Sequence, residues 1–334
     1  MDSILSEYQD YFGEREKNVL QIIFPNINRK YNCVIKYEDA MKCDDKSKFL
    51  KLRINILRRL NLQPFINLVY LDCSRCNLTK LPKLPSLIQT LNCSNNRLVT
   101  LPELPLVTHL KCNSNRLTAL AAELPLIQTL NCNYNLLTIL PKLPLVTKLD
   151  CCSNNLISLT ALPKLTKLDC CCNNLTTLPE LPLVTRLNCS TNKLTTLPKL
   201  PLVTELICVY NRLRVLPDLP SVTKLHCYRN QLTSLVEIPL VTVLNCHFND
   251  LTILPELPLV TRLNCNNNNL TTLPKLPLVT VLCCDMEMPI RSGCKAALAQ
   301  HIYRYKYINS LSLYNIINIY MFNIKYYVWT KVYG

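Results

Sequence analysis

Glycine is almost missing, with three residues in a chain of 334. That leaves little room for a Gly-rich phosphate-binding loop. No Ser/His/Asp arrangement stands out, so the usual nucleophilic and phosphoryl-transfer machinery has no foothold and the chain reads as a non-enzyme. No secretory leader is expected either: Met1 to Glu7 shows neither a basic n-region nor an apolar h-region. Long apolar runs are absent. The most apolar stretch, 310–329, is interrupted by Asn315, Asn318, Asn323 and Lys325, whereas a spanning helix needs about 20 mostly apolar residues. Residues 288–334 carry six basic and no acidic side chains.

What fills the chain is a repeat. The stretch Leu257-Pro258-Leu259-Val260-Thr261-Arg262-Leu263-Asn264-Cys265-Asn266-Asn267-Asn268-Asn269-Leu270-Thr271-Thr272-Leu273-Pro274 reduces to L/V-x-x-L-x-C-x-x-N-x-L-T-x-L-P. Its register is marked by Cys73, Cys93, Cys112, Cys132, Cys151, Cys170, Cys189, Cys208, Cys227, Cys246, Cys265 and Cys284, spaced by 19 or 20 residues. L-x-C is a period-2 pattern, which puts Leu and Cys on one face of a short strand. One such strand cannot bury its own face, but stacked copies can, as a parallel sheet advancing about 4.8 Å per copy. The other half of the repeat is L-P-x-L-P, complete eight times. Two prolines three apart are incompatible with a helix interior and suit an extended, polyproline-like back wall.

This spacing resembles the leucine-rich repeat family, L-x-x-L-x-L-x-x-N/C-x-L, with Cys in place of the last strand Leu. The resemblance covers about residues 65–290. It implies an α/β-type solenoid: a leucine-rich repeat horseshoe with short parallel strands on the concave face, extended convex segments and a helical N-terminal cap. The short period with L-P-x-L-P is most similar to secreted effectors of enteric bacteria and to repeat proteins of giant DNA viruses. The Asn-, Ile-, Lys- and Tyr-rich flanks favour the viral side. Three segments follow: 1–64 as a mostly helical cap, 65–290 as about twelve repeats, and 291–334 as a C-terminal cap or loosely ordered tail. Within the first, Ser3 to Phe24 is expected as one or two short helices, Tyr31 to Tyr37 as a strand, and Lys48 to Leu60 as a basic helix.

Of the 20 cysteines, twelve hold the ladder position. In-register parallel neighbours would keep their Cβ atoms about 4.8 Å apart with aligned vectors, against about 3.8 Å and converging vectors for a disulfide. The ladder is therefore expected as buried, reduced thiols, which points to a reducing compartment and a cytoplasmic location. The net charge of +15 is uneven, only mildly basic over the body and sharper in the tail, and reads as a solubility feature. Neither nucleic acid nor membrane is an expected partner, and the chain is expected to be a monomer.

Candidate functional residues divide into two sets. Asn96, Asn115, Asn135, Asn154, Asn173, Asn192, Asn211, Asn230, Asn249 and Asn268 recur three residues after the ladder Cys. They are expected to be buried, with their amides on neighbouring backbone groups. The exposed sheet face is expected to carry an aromatic-basic patch of Ile207, Tyr210, His226, Tyr228, Arg229, His247 and Phe248, a composition suited to an interface hot spot. Lys148 and Lys167 are expected to pair with Asp150 and Asp169. Cys152 and Cys171 fall side by side on adjacent strands, but no His or further Cys in the neighbouring copies completes four ligands. No metal and no cofactor is expected there, and the two thiols read as an oxidation-prone pair. Cys283-Cys284-Asp285 matches the Cys-x-Asp letters of bacterial ubiquitin ligases, but the 49 residues after Asp285 are too few for that domain.

These features favour a non-catalytic protein-protein interaction scaffold that binds a protein partner on its concave face. A weaker resemblance, in Asn18-Val19-Leu20-Gln21-Ile22-Ile23-Phe24-Pro25, is to the middle of an F-box. It implies an alternative: a substrate adaptor that recruits a ubiquitin ligase through its N-terminal segment. A passive structural repeat protein is the remaining alternative.

Overall fold

The computed structural model describes residues 35–36, 40–42, 46, 51–53, 61–121 and 123–285. They build a single parallel sheet of fourteen strands in strict chain order. Two strands precede the repeats, β1 (Ile35–Lys36) and β2 (Lys51–Arg53). Twelve follow: β3 (Tyr70–Asp72), β4 (Thr90–Asn92), β5 (His109–Lys111), β6 (Thr129–Asn131), β7 (Lys148–Asp150), β8 (Lys167–Asp169), β9 (Arg186–Asn188), β10 (Glu205–Ile207), β11 (Lys224–His226), β12 (Val243–Asn245), β13 (Arg262–Asn264) and β14 (Val281–Cys283). Each repeat is thus one turn of a parallel-strand solenoid of about twelve turns.

The period-2 pattern sets which side chains go inside. In β8, Leu168 is buried between Lys167 and Asp169, and Cys170 follows it into the core. Leu71, Leu91, Leu206 and Leu225, and the ladder cysteines from Cys73 to Cys265, have no accessible surface. A fully buried Leu contributes roughly 1.5–3 kcal/mol, and the column repeats this at every turn.

Two features depart from the sequence expectation. The segment Lys48 to Leu60 is not helical at Lys51–Arg53, which is strand β2, hydrogen-bonded in register with Tyr70–Asp72. Leu52 is fully buried there, and Arg53 reaches Asp72 at 3.5 Å. The physical reason is that β3 would otherwise present an open edge and an uncovered core, and β2 closes both. A helical cap therefore has no support among the described residues; the Ser3 to Phe24 helices and the tail 291–334 lie outside them.

The second departure concerns the prolines. In Leu104-Pro105-Leu106-Val107 the Val107 amide donates to the Leu104 carbonyl at 3.3 Å. The same turn recurs at Leu181–Val184, Leu200–Val203 and Leu257–Val260. Proline fits the second place of such a turn because its φ is already fixed. The second proline of L-P-x-L-P thus bends the chain back into the next strand, and only the first stays in the extended segment.

Three side-chain ladders run parallel to the sheet. Asn173 represents the first: its Nδ2 donates to the carbonyls of Cys151, Cys170 and Cys171 at 3.0, 3.1 and 3.1 Å, and its Oδ1 accepts from the Leu156 amide at 3.0 Å. Each amide therefore ties its own turn to the one before. The other nine members make the same contacts to the ladder Cys of their own turn and of the preceding one. A second ladder, which the sequence reading missed, is threonine. Thr166, Thr185, Thr204 and Thr223 each pass a hydroxyl hydrogen bond to the carbonyl 19 residues earlier. The third is the thiol column itself.

The residue before each ladder Asn has a positive φ near 55°, and none of these residues is glycine. Ser114, Tyr134, Ser153, Cys172, Thr191, Tyr210, Arg229 and Phe248 all take this left-handed shape. It costs a non-glycine residue roughly 1–2 kcal/mol, offset here by the Asn bonds on either side.

Candidate functional site

The sheet face opposite the core is built from the strand residues flanking each buried Leu. Between β5 and β10 it forms an open depression of about 350 Å³, lined by Lys111, Lys148, Asp150, Lys167, Asp169, Arg186, Glu205 and Ile207 among others. Parallel register places like beside like: Lys148 pairs with Lys167, and Asp150 with Asp169. The expected Lys–Asp pairs are consequently not formed, because the buried Leu between them holds the two columns apart. On this stretch of the face Arg186 and Glu205 pair at 3.0 Å, and a solvent-accessible pair of this kind contributes little.

The aromatic-basic residues occupy the neighbouring turns β10 to β12 and their exits. Tyr210, Arg229 and Phe248 take the left-handed position in three successive turns and are exposed. The Arg229 guanidinium lies over the Tyr210 ring at 5.1 Å and over the Phe248 ring at 4.4 Å. Both distances fall in the cation–π range. Tyr228 meets Tyr210 edge-on at 5.7 Å and stacks on His247 at 4.3 Å, and His247 meets Phe248 at 5.3 Å. The five rings and one guanidinium are not all in one chain of contacts: His226 instead pairs in register with Ile207 on the strands alongside.

Burial, reinforced by the Arg229 charge, pushes His247 down to about 4. Its ring is therefore neutral at physiological pH, shares a hydrogen bond with Asn245 Oδ1, and can stack on Tyr228 without a charge to desolvate. Burial also lowers His226. The sequence shows this patch only through residue type. The left-handed backbone that turns Tyr210, Arg229 and Phe248 outward leaves no sequence mark, since the position accepts Ser, Thr, Cys, Tyr, Arg and Phe alike.

One further cluster lies at the exits of β7 and β8. Cys152 Sγ, an Asp169 carboxylate oxygen and Cys171 Sγ all lie within 4.8 Å of one another. The Cys152 thiol donates to Asp169 Oδ1 and accepts from the Cys171 amide. Asp169 escaped the sequence reading because it looked like the partner of a lysine. The Cys283-Cys284-Asp285 letters take a structural role: Asp285 accepts from the Asn267 amide at 3.0 Å, and Cys284 packs against the core. The F-box-like residues 18–25 lie outside the described residues. Among the described residues, no helix is long and apolar enough to cross a membrane.

A parallel-strand solenoid with Leu, Cys and Asn columns defines the class: the chain has the leucine-rich repeat fold. Among solved structures it is similar to YopM from Yersinia enterocolitica WA-314, at 28% identity and a TM-score of 0.60, covering 73% of this chain and 64% of that one. The chain thus spans less than two thirds of that YopM. It is also similar to YopM from Yersinia pestis, described as a leucine-rich effector protein, at 29% identity and a TM-score of 0.50, covering 65% of this chain and 77% of that one. A leucine-rich repeat protein of Leptospira interrogans matches at 25% identity and a TM-score of 0.60, covering 73% of this chain and 80% of that one. No protein-family model and no curated protein matches the chain.

Proposed function

We propose that this protein is a non-catalytic recognition scaffold that binds a protein partner on the inner sheet face, centred on the turns of β10 to β12. The observation that carries this reading is Arg229 held between the exposed rings of Tyr210 and Phe248. Aromatic residues and Arg supply most interface hot spots, and here the rings and guanidinium are held in place before any partner arrives. Preorganisation of this kind removes part of the ordering cost of binding. The depression beside the patch provides a rim of mixed charge.

The wider setting belongs to the same proposal. The chain acts as a monomer in a reducing compartment, consistent with a thiol column that forms no disulfide. The Asn-, Ile-, Lys- and Tyr-rich flanks support a viral source, and hence a host cytoplasmic partner.

The test is a pull-down from cytosol, read by mass spectrometry, comparing the native chain with a Tyr210→Ala, Arg229→Ala, Phe248→Ala variant shown to be folded by circular dichroism. The expected result is a partner retained by the native chain and lost, by at least tenfold, from the variant. Partners retained equally by both would move the site elsewhere; no enriched partner would leave a passive scaffold.

A further inference from the structure

We infer that the exits of β7 and β8 form a binding site for a thiophilic divalent cation such as Zn²⁺, with Cys152, Cys171 and Asp169 as ligands. Comparison with the other turns makes the point. Where serine follows the ladder Cys, its hydroxyl closes on the residue two places back, within its own turn. Ser74 donates to Asp72, Ser94 to Asn92 and Ser190 to Asn188, each at 2.7 Å, and Ser190 has only a longer 3.4 Å contact to the Ile207 carbonyl of the next turn. Cys152 does not do this. Its thiol crosses to Asp169 in the next turn, 17 residues on, and the Cys171 thiol joins them, so that two sulfurs and a carboxylate oxygen converge within 4.8 Å.

Asp150, the acidic residue two places before Cys152, is left with a buried Oδ1 that has no hydrogen-bond partner. A buried carboxylate oxygen without a partner is costly, and its negative charge acts on the Cys152 thiol. Two sulfurs, one carboxylate ligand and a second carboxylate nearby make a soft, anionic donor set, which suits zinc better than magnesium or calcium. Zinc holds sulfur at about 2.3 Å and carboxylate oxygen at about 2.0–2.2 Å in a tetrahedron. That geometry asks for ligand atoms about 3.5–3.8 Å apart: the Cys152 sulfur and the Asp169 oxygen, at 2.6 Å, would open to admit the ion, and all three ligand atoms already lie within 4.8 Å of one another. A water would supply the fourth place.

Binding replaces one proton on each sulfur, both released to the buffer, and leaves the zinc with two thiolates and one carboxylate. Affinity therefore rises with pH, since ligands that must lose a proton compete less well in acid. No other turn carries Cys at this place, so the site occurs once along the repeats.

The test uses the full reduced chain and zinc alone, titrated against a chromophoric chelator, with cobalt in parallel to report sulfur-to-metal charge transfer in the near ultraviolet. The comparison is a Cys152→Ser, Cys171→Ser variant, which installs the residue that Ser74, Ser94 and Ser190 already place in folded turns, and an Asp169→Asn variant. The native chain should bind one more zinc than the double-serine variant, with a sulfur–cobalt band the variant lacks. Asp169→Asn should weaken that zinc by at least tenfold, and zinc should raise the melting temperature of the native chain only. Equal zinc stoichiometry in the native and double-serine chains, or no sulfur–cobalt band in the native one, would overturn the site.

Discussion

At the turn of β9, Ser190 donates to Asn188 and closes the strand exit on itself; two turns earlier Cys152 occupies the same place and reaches forward to Asp169. Two turns later that place holds Tyr228, and then His247, stacked at 4.3 Å. Around all four, the buried Leu, the ladder Cys and the ladder Asn are unchanged. The backbone is thus specified by a few invariant columns, and the position after the ladder Cys is released to carry hydroxyl, thiol or ring. The molecule separates structure from chemistry by column rather than by region.

The comparison breaks most decisively if the constant columns can be disturbed without harm. Burial raises all eleven ladder thiols from Cys73 to Cys265, with Cys93, Cys189 and Cys227 at about 12. In the unfolded chain a thiol ionises near 8.5. Above that pH the unfolded state sheds protons that the native state keeps. Stability is therefore complete below about pH 8.5 and falls as pH rises, by about 1.4 kcal/mol per pH unit for each thiol. Acting together, the ladder thiols outweigh a typical stability of 5–15 kcal/mol, so the solenoid should lose its far-ultraviolet dichroism between about pH 9 and 10. Retention of that signal at pH 11 would contradict a buried thiol column.

A smaller effect separates two asparagines in adjacent turns. Asn173→Ala strands the Leu156 amide inside the protein and removes three donations to carbonyls. It should lower stability by about 3 kcal/mol in urea unfolding, with partner binding unchanged at the same fraction folded. Asn188→Ala, on the half-buried face, loses only its bonds to Ser190 and should cost about 1 kcal/mol. Equal costs would erase the distinction between columns.

The smallest effect concerns the left-handed position. Thr191 is β-branched at φ 54°, a poor fit, whereas Asn tolerates this shape. Thr191→Asn should stabilise by about 1 kcal/mol, and the reverse exchange, Asn267→Thr at the equivalent place, should cost about as much. No change in the urea midpoint of either variant would show that the backbone relaxes there.

Much of the fold is legible because strand, Leu column and Cys column all follow one spacing. Strand β2 was hidden although Leu52 lies 19 residues before Leu71. Ile54 stands where the ladder Cys would be, so the turn loses its marker. The threonine ladder was hidden because a surface Thr and a bonding Thr look alike in sequence. Of the candidate sites, residue type pointed to the ring cluster, since Tyr, His and Phe interrupt an otherwise polar column. The convergence of Asp169 with two thiols could not be read, because it depends on a thiol turning toward the next turn instead of its own.

The Asn side chains all reach one turn back, so every turn completes the one before it. An excision of 19 residues, from any point to the same point one turn later, would rejoin each ladder to itself. The length of the protein is therefore an adjustable quantity, graduated in steps of about 4.8 Å. Lineages or engineers could set the separation between the thiol cluster and the ring cluster by counting turns, as one sets a distance on a ruler, without redesigning either end.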